Sequence, residues 1–544
     1  MTIERTKLRW NGWGWVDAPN VLGETPDKLW AWMARTLGLD TLPNTPAKPL
    51  EDITLPEPLL SEEQLGALRD LTAAGRVKTG DFERAFHARG RSYHDLLYLR
   101  AGMLDVAPDA VVYPTSAEEC QALVEYAAAQ GVALVPFGGG STVVGGVNAV
   151  FGAARRPVAT LDLTLMDKLL DIDEESLLAR AEAGIYGPAL EEALQARGYT
   201  LGHYPQSFEF STLGGWIAPR GAGHQSNKYG KAEQWFVSSR LATPAGLWPV
   251  EDFPGTAAGP HMRDVVAGSE GVLGVITDAV FKVHPCPEVK DYRGYMFADF
   301  ASGVAATRTL MQQRVPTAMI RLSDEDETRF YSALHMGGEE PDPSMRFCIM
   351  LVGLEGAQAE VAHALQQSRT IIEGMGGMHM GESLGESWYE GRFETPYLRD
   401  PMMDRGLAVD TLETCTRWSN LTKLHQVATD AIHQAMRNEA ARPDAAGIVM
   451  SHVSHAYPDG ASLYFTFVFA RDDARAVDQW WAIKRAASNA ITANGGTISH
   501  HHGVGTDHLE WITAEKGPVG MAALEAVKRR IDPTNVLNPG KLLP

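Results

Sequence analysis

The sequence is poor in cysteine and contains no long apolar segment. Its four cysteines are widely spaced among 544 residues, and no two of them form a C-x-x-C pair. This pattern argues against a disulfide framework or a thiolate zinc site and favours a reducing compartment such as the cytosol. No apolar run reaches the length of about 18 residues that a transmembrane helix needs. The charged start of the chain does not resemble a secretory signal.

Basic residues are also in deficit. The chain has 48 Lys and Arg against 68 Asp and Glu, which gives a formal net charge of −20. Broad nucleic-acid binding requires a basic surface, so we expect no nucleic-acid partner. Simple adhesion to an anionic membrane is disfavoured for the same reason. An anionic substrate would need a local cluster of Arg, Lys or His that reverses the overall field.

The start of the chain is rich in tryptophan. The segment Asp27–Gly38 places Leu29, Trp30, Trp32 and Met33 close to helical spacing. We expect a helix docked on the body of the protein, and a helix that touches lipid is the alternative. The Pro-rich segment that follows, Thr41–Pro58, is typical of a linker.

A strand–helix–strand unit is predicted before the first glycine-rich stretch. Ala110–Pro114 is the first strand, Ser116 and Glu119 form a capping-box pattern, and Gly131 ends the helix. Ala133–Phe137 is the next strand. Further strands are predicted at Thr160–Leu165, Leu177–Ala183, Val280–Val283, Tyr292–Phe297, Met319–Leu322, Phe347–Gly353 and Leu463–Phe469. Further helices are predicted at Pro188–Arg197, Gly303–Arg314, Ala357–Gly374 and Leu421–Ala441.

Three glycine-rich stretches carry the main chemical signal. The first, Pro136–Thr142, reads PFGGGST and directly follows a predicted strand. A pyrophosphate needs several backbone N–H donors at close range, and side chains there would block its approach. The spacing fits neither a Rossmann fingerprint nor a P-loop. A plain tight turn is the alternative, but the stretches Ser211–Tyr229 and Ala267–Thr277 favour an extended cofactor.

These stretches resemble a known family. FGGGST, FEFSTLGGWIAPRGAG and GSEGVLGVIT are similar to the FAD-binding domain of the vanillyl-alcohol oxidase and p-cresol methylhydroxylase superfamily. Within it, RWNGWGW at Arg9–Trp15, MIRLSD at Met319–Asp324 and SHHHGVG at Ser499–Gly505 resemble the alkyldihydroxyacetonephosphate synthase family. The resemblance covers nearly the whole chain.

The resemblance implies an α+β, two-domain FAD-binding fold of the p-cresol methylhydroxylase type with an α+β cap. We assign residues 1–104 to an N-terminal segment, 105–287 to the FAD-binding domain, 288–490 to the cap, and 491–544 to a tail that returns to the FAD domain. FAD is expected to be bound non-covalently. The cofactor contacts that the resemblance implies are Pro136, Phe137, Gly138, Gly139, Gly140, Ser141, Thr142, Gln206, Ser211, Thr212, Gly214, Gly215, Pro219, Arg220, Gly221, Ala222, Glu270, Gly271, Leu273, Gly274, Val275 and Ile276.

The family implies an exchange that is redox-neutral overall. A fatty alcohol replaces the ester-linked fatty acid of acyl-dihydroxyacetone phosphate, and flavin N5 holds the dihydroxyacetone phosphate carbon during the reaction. The alternative is an FAD-linked oxidase or dehydrogenase of a hydroxy acid or alcohol. The segment Asn535–Lys541 keeps it open, because NVLNPGK resembles those enzymes.

The resemblance identifies His500, His501 and His502 as an active-site triplet. Histidine suits proton abstraction from a weakly acidic carbon at neutral pH. If the triplet lies on a strand, His501 points to the face opposite its two neighbours. A metal site that includes Asp507 and His508 is the alternative. We predict no metal, because adjacent strand residues cannot all converge on one ion.

Three more side chains complete the candidate site. The resemblance makes Tyr464 a proton donor or acceptor, although a hydrogen-bonded core tyrosine is the more general fate. It places Arg321 and Arg399 at the phosphate and in the active-site cavity, where guanidinium can form paired hydrogen bonds. The alternative is that these arginines form surface salt bridges with Asp324, Asp326 or Asp400.

The implied partners are acyl-dihydroxyacetone phosphate and a long-chain fatty alcohol. We also expect a homodimer in the cytoplasm, with peripheral membrane contact as an open alternative. Neither a peroxisomal nor a secretory signal is seen in the sequence.

Overall fold

The computed structural model describes residues 3–18, 22, 26–149, 155–335, 346–440, 442 and 445–543. The helices are α1 Pro26–Thr36, α2 Glu62–Leu71, α3 Asp81–Phe86, α4 Tyr93–Ala101, α5 Ala117–Gln130, α6 Gly187–Gln195, α7 Leu213–Ile217, α8 Ser226–Tyr229, α9 Ala232–Trp235, α10 Arg263–Val266, α11 Phe300–Gln312, α12 Glu325–His335, α13 Gln358–Gly374, α14 Ser383–Gly391, α15 Arg399–Asp404, α16 Trp418–Asn438, α17 Ala476–Ala493 and α18 Leu509–Ile531. The strands are β1 Val77–Lys78, β2 Ala110–Val112, β3 Ala133–Phe137, β4 Val158–Asp162, β5 Leu169–Asp173, β6 Leu178–Glu182, β7 Tyr199–Thr200, β8 Phe236–Thr243, β9 Gly246–Pro249, β10 Val275–Lys282, β11 His284–Pro285, β12 Val289–Phe297, β13 Met319–Ser323, β14 Cys348–Gly356, β15 Met378–Gly381, β16 Leu407–Arg417, β17 Gly447–Ala456 and β18 Gly460–Ala470.

Two sheets, of order β1-β2-β4-β3 and β5-β6-β10-β8-β9, form the first half of the fold. The predicted strand–helix–strand unit is confirmed. The Ser116 side chain accepts a hydrogen bond from the Glu119 N–H, and Gly131 ends α5 with a φ of 69°. Because β3 runs parallel to β4 and ends at Phe137, the first glycine stretch begins at the carboxyl end of a parallel strand. Ligands commonly bind at such an edge.

The second half is built on a seven-stranded antiparallel sheet of order β15-β12-β14-β13-β17-β18-β16. On β18, Leu463 and Phe465 pack into the main core with the helices on one face of the sheet. Tyr464, Thr466 and Val468 point to the other face and line a cavity. The predicted alternation along this strand is therefore confirmed, and it separates a packing face from a face that is open to ligand.

Helix α1 of the tryptophan-rich start packs onto this second half, whereas Trp13 and Trp15 lie against Phe210 of the first half. In α1, Trp32 and Met33 are buried in a cluster with Phe330 and Met450. The docked-helix prediction is confirmed, and the apolar face of α1 is covered by protein rather than turned outward. No helix among the described residues is long and apolar enough to cross a bilayer.

The end of the chain contacts strand β3 of the first half. The Leu134 N–H on β3 donates to the Val536 carbonyl at 2.7 Å, and the Asn538 N–H donates to the Leu134 carbonyl at 2.8 Å. Some predicted bounds were wrong. The strand expected at Thr160–Leu165 ends at Asp162 and continues as a short 3-10 turn. The helix expected to reach Ala441 ends at Asn438, and Ala441 itself lies outside the described residues.

Candidate active site

One cavity of about 1190 Å³ is bordered by both halves of the fold. The three glycine-rich stretches form one part of its wall. Side chains from β13, β17, β18 and α12 form the opposite part, together with two residues of the histidine triplet. The cavity therefore joins the predicted cofactor loops to the predicted catalytic residues.

The first glycine loop has the chemistry of an anion site. The backbone N–H groups of four successive residues, Gly139 to Thr142, have no hydrogen-bond acceptor among the described residues. All four residues line the cavity, and two of them also carry hydroxyl groups. Backbone donors arranged in this way suit a pyrophosphate. The loop therefore fits the diphosphate of FAD.

The glycines of this loop are also required by packing. A Cβ at Gly139 would lie 1.6 Å from the Phe210 carbonyl oxygen, and a Cβ at Gly138 would lie 2.2 Å from Thr212 Oγ1. The second glycine-rich stretch thus lies directly against the first. Access for the cofactor was the reason that the sequence indicated for these glycines, whereas the close approach between the two loops depends on tertiary packing.

Arg5, near the N-terminus, binds the first glycine loop and does not itself line the cavity. Arg5 donates to the Gly138 carbonyl at 2.5 Å and to the Asp162 carboxylate at 2.7 Å. His87 Nε2 lies 2.9 Å from the same carboxylate. Burial alone would raise the pKa of Asp162, but the charge of Arg5 and the hydrogen bonds to His87 and Thr164 together outweigh burial and lower the pKa to about 2. This buried ion pair fixes the backbone of the loop, and no local sequence pattern indicated it.

Most of the predicted cofactor residues lie on the cavity wall. Three of them do not line it, namely Arg220, Leu273 and Val275. Leu273 and Val275 are buried, and Val275 belongs to the core of the first half. Arg220 adopts a left-handed backbone with φ of 61°, and its stem lies close to Gly268. The third glycine-rich stretch is continuous in sequence, but Leu273 and Val275 within it are buried and do not reach the cavity wall.

The histidine triplet lies in a bend and not on a strand, so the alternation of faces considered for a strand does not apply. Three backbone N–H groups, those of His500, His501 and His502, donate to the buried carboxylate of Glu413 on β16 at 2.6, 3.1 and 2.9 Å. Ser499 Oγ adds a fourth bond at 2.8 Å. Three consecutive donors can converge on one carboxylate only because the backbone turns around it.

Two buried carboxylates therefore hold this segment. Burial opposes ionisation of Glu413, but neighbouring histidines and the backbone donors lower its pKa to about 2. Glu270 accepts from the N–H groups of Val504 and Gly505 at 2.6 and 2.7 Å. Burial raises the pKa of Glu270 to about 7, against the effect of these two donors. Glu270 was predicted as a cofactor contact, and it lines the cavity while it also anchors the triplet.

The three histidines have different surroundings. His501 and His502 line the cavity, whereas His500 does not. Burial lowers the pKa of all three, and the charge of Lys231 adds to this for His500. The imidazoles are therefore neutral at pH 7 and able to accept a proton.

Tyr464 lies beside the triplet on the cavity wall. Its ring centroid is 6.2 Å from that of His501 and 5.5 Å from that of His502. Burial raises the pKa of Tyr464 to about 12, so the phenol keeps its proton at neutral pH. The residue faces the cavity and is not packed within the core.

Arg321 also faces the cavity, but with partners that the sequence did not suggest. Its guanidinium lies 3.0 Å from Glu327 and 2.9 Å from His452 Nε2, and His452 Nδ1 lies 2.8 Å from the same glutamate. Burial opposes ionisation of Glu327, but Arg321 and the hydrogen-bonded His452 together outweigh it and lower the pKa of Glu327 to about 2. Asp324 instead pairs with His425. The expected alternative of a surface salt bridge is wrong, because this pair is largely buried.

Arg399 reaches the cavity from the start of α15. It donates to the Arg91 carbonyl at 2.5 Å, and its buried Nε has no partner among the described residues. Asp400 does not pair with it. That carboxylate accepts from the Trp13 N–H at 3.0 Å and from Arg9 at 3.2 Å. The RWNGWG segment thus packs against the helix that carries Arg399.

Two histidines on β17 were missed by the sequence reasoning. His452 and His455 both line the cavity. Residues three apart on a regular strand point to opposite faces, so the spacing gave no reason to join them. The pairing of β17 with β18 shifts between Val453 and Ala456, and this irregularity brings both side chains to one side.

The metal alternative built on Asp507 and His508 is not supported by their contacts. His508 Nδ1 lies 2.8 Å from the Gly503 carbonyl, and Asp507 lies 3.7 Å from His94. Among the described residues, ring nitrogens of His455, His500 and His501 lie within 4.8 Å of one another. The absence of a metal stays a prediction.

Comparison with known proteins agrees with the fold and the cavity. Residues 108–248 match the model of an FAD binding domain, and residues 286–542 match that of the C-terminal domain of FAD linked oxidases. The solved structure of p-cresol methylhydroxylase superimposes with a TM-score of 0.66 at 16% identity, covering 89% of this chain and 98% of that one. The chain therefore has the fold of the p-cresol methylhydroxylase type, and its two domain matches define an FAD-binding protein.

Relatives with higher sequence identity identify the family within this fold. Alkyldihydroxyacetonephosphate synthase of Dictyostelium discoideum is 32% identical, over 99% of this chain and 94% of that protein. The enzyme of Trypanosoma brucei brucei is 31% identical, over 99% and 92%. A solved alkyldihydroxyacetonephosphate synthase structure matches with a TM-score of 0.82 at 29% identity, covering 98% and 99%. The chain belongs to the alkyldihydroxyacetonephosphate synthase family.

Proposed function

We propose that this protein exchanges the acyl chain of acyl-dihydroxyacetone phosphate for a long-chain fatty alcohol, which gives an ether lipid precursor. One observation carries the proposal. A single cavity is lined by the three glycine-rich stretches, three arginines that include Arg321 and Arg399, neutral histidines and an apolar region. The full-length similarity to alkyldihydroxyacetonephosphate synthases supports it.

The arginines are suited to the phosphate of this substrate. Arg399 has an unpaired buried Nε among the described residues, so a phosphate oxygen can satisfy it. Arg321 shares its charge with Glu327, which holds the guanidinium in place. A guanidinium presents paired donors to phosphate oxygens and stays charged when it is buried.

An apolar region of the same cavity is suited to the fatty chains. It is lined by Phe330 and Leu334 of α12, by Met402 of α15, and by Met450 and Val468 of the sheet. Each methylene of a chain removed from water contributes about 0.8 kcal/mol. The arginines and this region together select a molecule with a phosphate and a long chain.

The polar residues near the triplet supply proton transfer. His501 and His502 are neutral, so they can take a proton from a substrate carbon or from the incoming alcohol. Tyr464 keeps its proton and can donate it. FAD, held by the glycine loops, supplies an electron-accepting centre when it is bound. The exchange then needs no external oxidant.

The proposal is tested with purified protein, acyl-dihydroxyacetone phosphate and a long-chain alcohol. Ether product and free fatty acid should form together, without hydrogen peroxide or a reduced acceptor. His501→Ala and His502→Ala should abolish turnover and retain FAD. Normal turnover of both variants would contradict the catalytic assignment.

A second function is an FAD-linked oxidase or dehydrogenase of a hydroxy acid or alcohol. The match of residues 286–542 to the C-terminal domain of FAD linked oxidases favours it. Such an enzyme would bleach its flavin on addition of substrate and need an acceptor to recover. The same preparation therefore separates the two functions by absorbance.

Several finer features belong to the same proposal. FAD should be bound non-covalently, so acid precipitation should release all of it into the supernatant. We propose that the protein is a homodimer and binds no metal. We propose a cytoplasmic location, with peripheral membrane contact as the alternative. We propose the domain bounds 1–104, 105–287, 288–490 and 491–544. Light scattering, cell fractionation, metal analysis and limited proteolysis test them in turn.

A further inference from the structure

A chain of three polar side chains leads away from the cavity behind the triplet. His501 lines the cavity, and its Nδ1 lies 3.0 Å from His500 Nδ1. His500 Nε2 lies 2.6 Å from the hydroxyl of Tyr457. Tyr457 is partly exposed and stands where β17 leads into the turn before β18. Both steps are within hydrogen-bond distance.

We propose that His500 and Tyr457 form a proton relay that carries the proton of the fatty alcohol from His501 to solvent. The inference rests on the proposed function. In that reaction the ester C–O bond breaks and the fatty acid leaves as a carboxylate with the bonding electron pair. The alcohol oxygen forms the new C–O bond and loses its proton. Since a carboxylic acid with a pKa of about 4 is ionised at neutral pH, one proton must leave the site in each turnover.

The relay works by the movement of protons along existing hydrogen bonds. His501 takes the alcohol proton on Nε2 and passes its Nδ1 proton to His500 Nδ1. His500 passes its Nε2 proton to the Tyr457 hydroxyl oxygen, and Tyr457 releases its own proton to solvent. When the product has left and water refills the cavity, His501 loses its Nε2 proton to that water while a proton returns along the chain to its Nδ1. The starting tautomers are then restored, and one proton has left the site in the turnover. No electron leaves the system, so no oxidant or reductant is needed.

The surroundings of the relay fix its geometry. Lys231 Nζ donates to the His500 carbonyl at 2.6 Å, and Glu413 accepts from the backbone N–H groups on either side. The acidic groups that act on Tyr457 include Glu233 and Asp459. Glu233 is itself paired with Lys231 at 3.2 Å, so charges of both signs stand near the outer end of the relay.

The same nitrogens are the ones that a metal would need. Of the three clustered histidines, His455 has a buried Nδ1 with no partner among the described residues. His500 uses both of its ring nitrogens in the relay, toward His501 and Tyr457. A bound cation would break the relay, so the two arrangements exclude each other.

Tyr457→Phe and His500→Gln test the relay in the FAD-loaded enzyme. Tyr457→Phe keeps the ring and removes only the hydroxyl. Ether formation at low buffer concentration should fall at least about tenfold in each variant, with an unchanged KM for acyl-dihydroxyacetone phosphate. Added imidazole should restore turnover as its concentration rises, because a small buffer can carry the proton instead. A purely structural defect would show no such rescue.

Tyr113→Phe is the matched control, because it removes a buried hydroxyl, bonded to Glu83 at 2.8 Å, outside the cavity. It should leave turnover and buffer response unchanged. Wild-type turnover in Tyr457→Phe and His500→Gln, or a fall that imidazole does not relieve, would overturn the relay. Loss of wild-type activity on chelation, restored by Zn²⁺, would overturn it in favour of a metal. A wild-type enzyme that forms no ether would refute the proposed function, and the relay with it.

Discussion

The carboxylate of Glu413 should decide whether the histidine triplet keeps its shape. In Glu413→Gln the amide has almost the same size, but only one of its two terminal atoms can accept hydrogen bonds. If the amide oxygen takes the place of Oε1, the bonds from Ser499, His501 and His502 are retained. The amide nitrogen then faces the N–H of His500, which donates to Oε2 at 2.6 Å in the native protein.

The loss of stability expected for Glu413→Gln follows from these contacts. One charge-assisted hydrogen bond is lost, and one buried N–H is left without an acceptor. Each of these changes costs about 1–3 kcal/mol, so the bend should be destabilised locally by about 2–6 kcal/mol. A difference of 2 kcal/mol changes an opening equilibrium about 30-fold. Misplacement of catalytic groups by about 1 Å lowers a rate about 100-fold.

Hydrogen exchange measured by mass spectrometry on peptides that cover the triplet is the direct assay. In Glu413→Gln these amides should exchange at least about 30-fold faster, while FAD content and protection of β3 remain native. Ether formation should fall about 100-fold.

Glu515→Gln is the matched control for this measurement. Glu515 is exposed and accepts from Thr497 Oγ1 and the Ile498 N–H at 2.6 and 3.1 Å in the same segment. We expect a change of about 1 kcal/mol or less there, because solvent can replace the contact. If Glu413→Gln exchanges and turns over like the wild type, this carboxylate does not hold the triplet.

Three further outcomes follow from the site. Arg321→Lys should raise the KM for acyl-dihydroxyacetone phosphate about 10-fold or more, since a point charge replaces paired donors; an unchanged KM would count against Arg321. Gly139→Ala should yield colourless protein, because the added Cβ would meet the Phe210 carbonyl at 1.6 Å; retention of stoichiometric FAD would refute this packing argument. The pKa of His501 is lowered by burial, so its neutral form persists as the pH falls below 6.5. The acid limb of kcat/KM should therefore lie below pH 6.5, and a limb at or above that value would assign the base to another group.

Local sequence patterns predicted the parts of the fold that depend on local chemistry. The capping serine of α5, its terminal Gly131 and the alternation around Tyr464 are all present. Each depends on residues a few positions apart, so the sequence contains the whole cause. The first glycine stretch was recognised for the same reason, because an exposed backbone after a strand is a local property.

The parts that were missed depend on contacts between distant segments. Glu413 lies far in sequence from the triplet, and only the folded backbone shows that three N–H groups converge on it. An acidic residue in the largely buried strand β16 was the available signal. His455 was missed because an irregularity in β17 changed the side to which it points. A residue pattern cannot show such a shift, since it depends on the pairing with β18.

The contact of Val536 and Asn538 with Leu134 also affects how the protein is made. β3 stands at the edge of its sheet, and the returning segment covers that edge with main-chain hydrogen bonds. During synthesis the ribosome releases the glycine loop long before this cover or the histidines exist. An interrupted product would present a bare strand edge, which invites association with other chains. Such a fragment would tend to aggregate, and a flavoprotein without its catalytic residues would not accumulate.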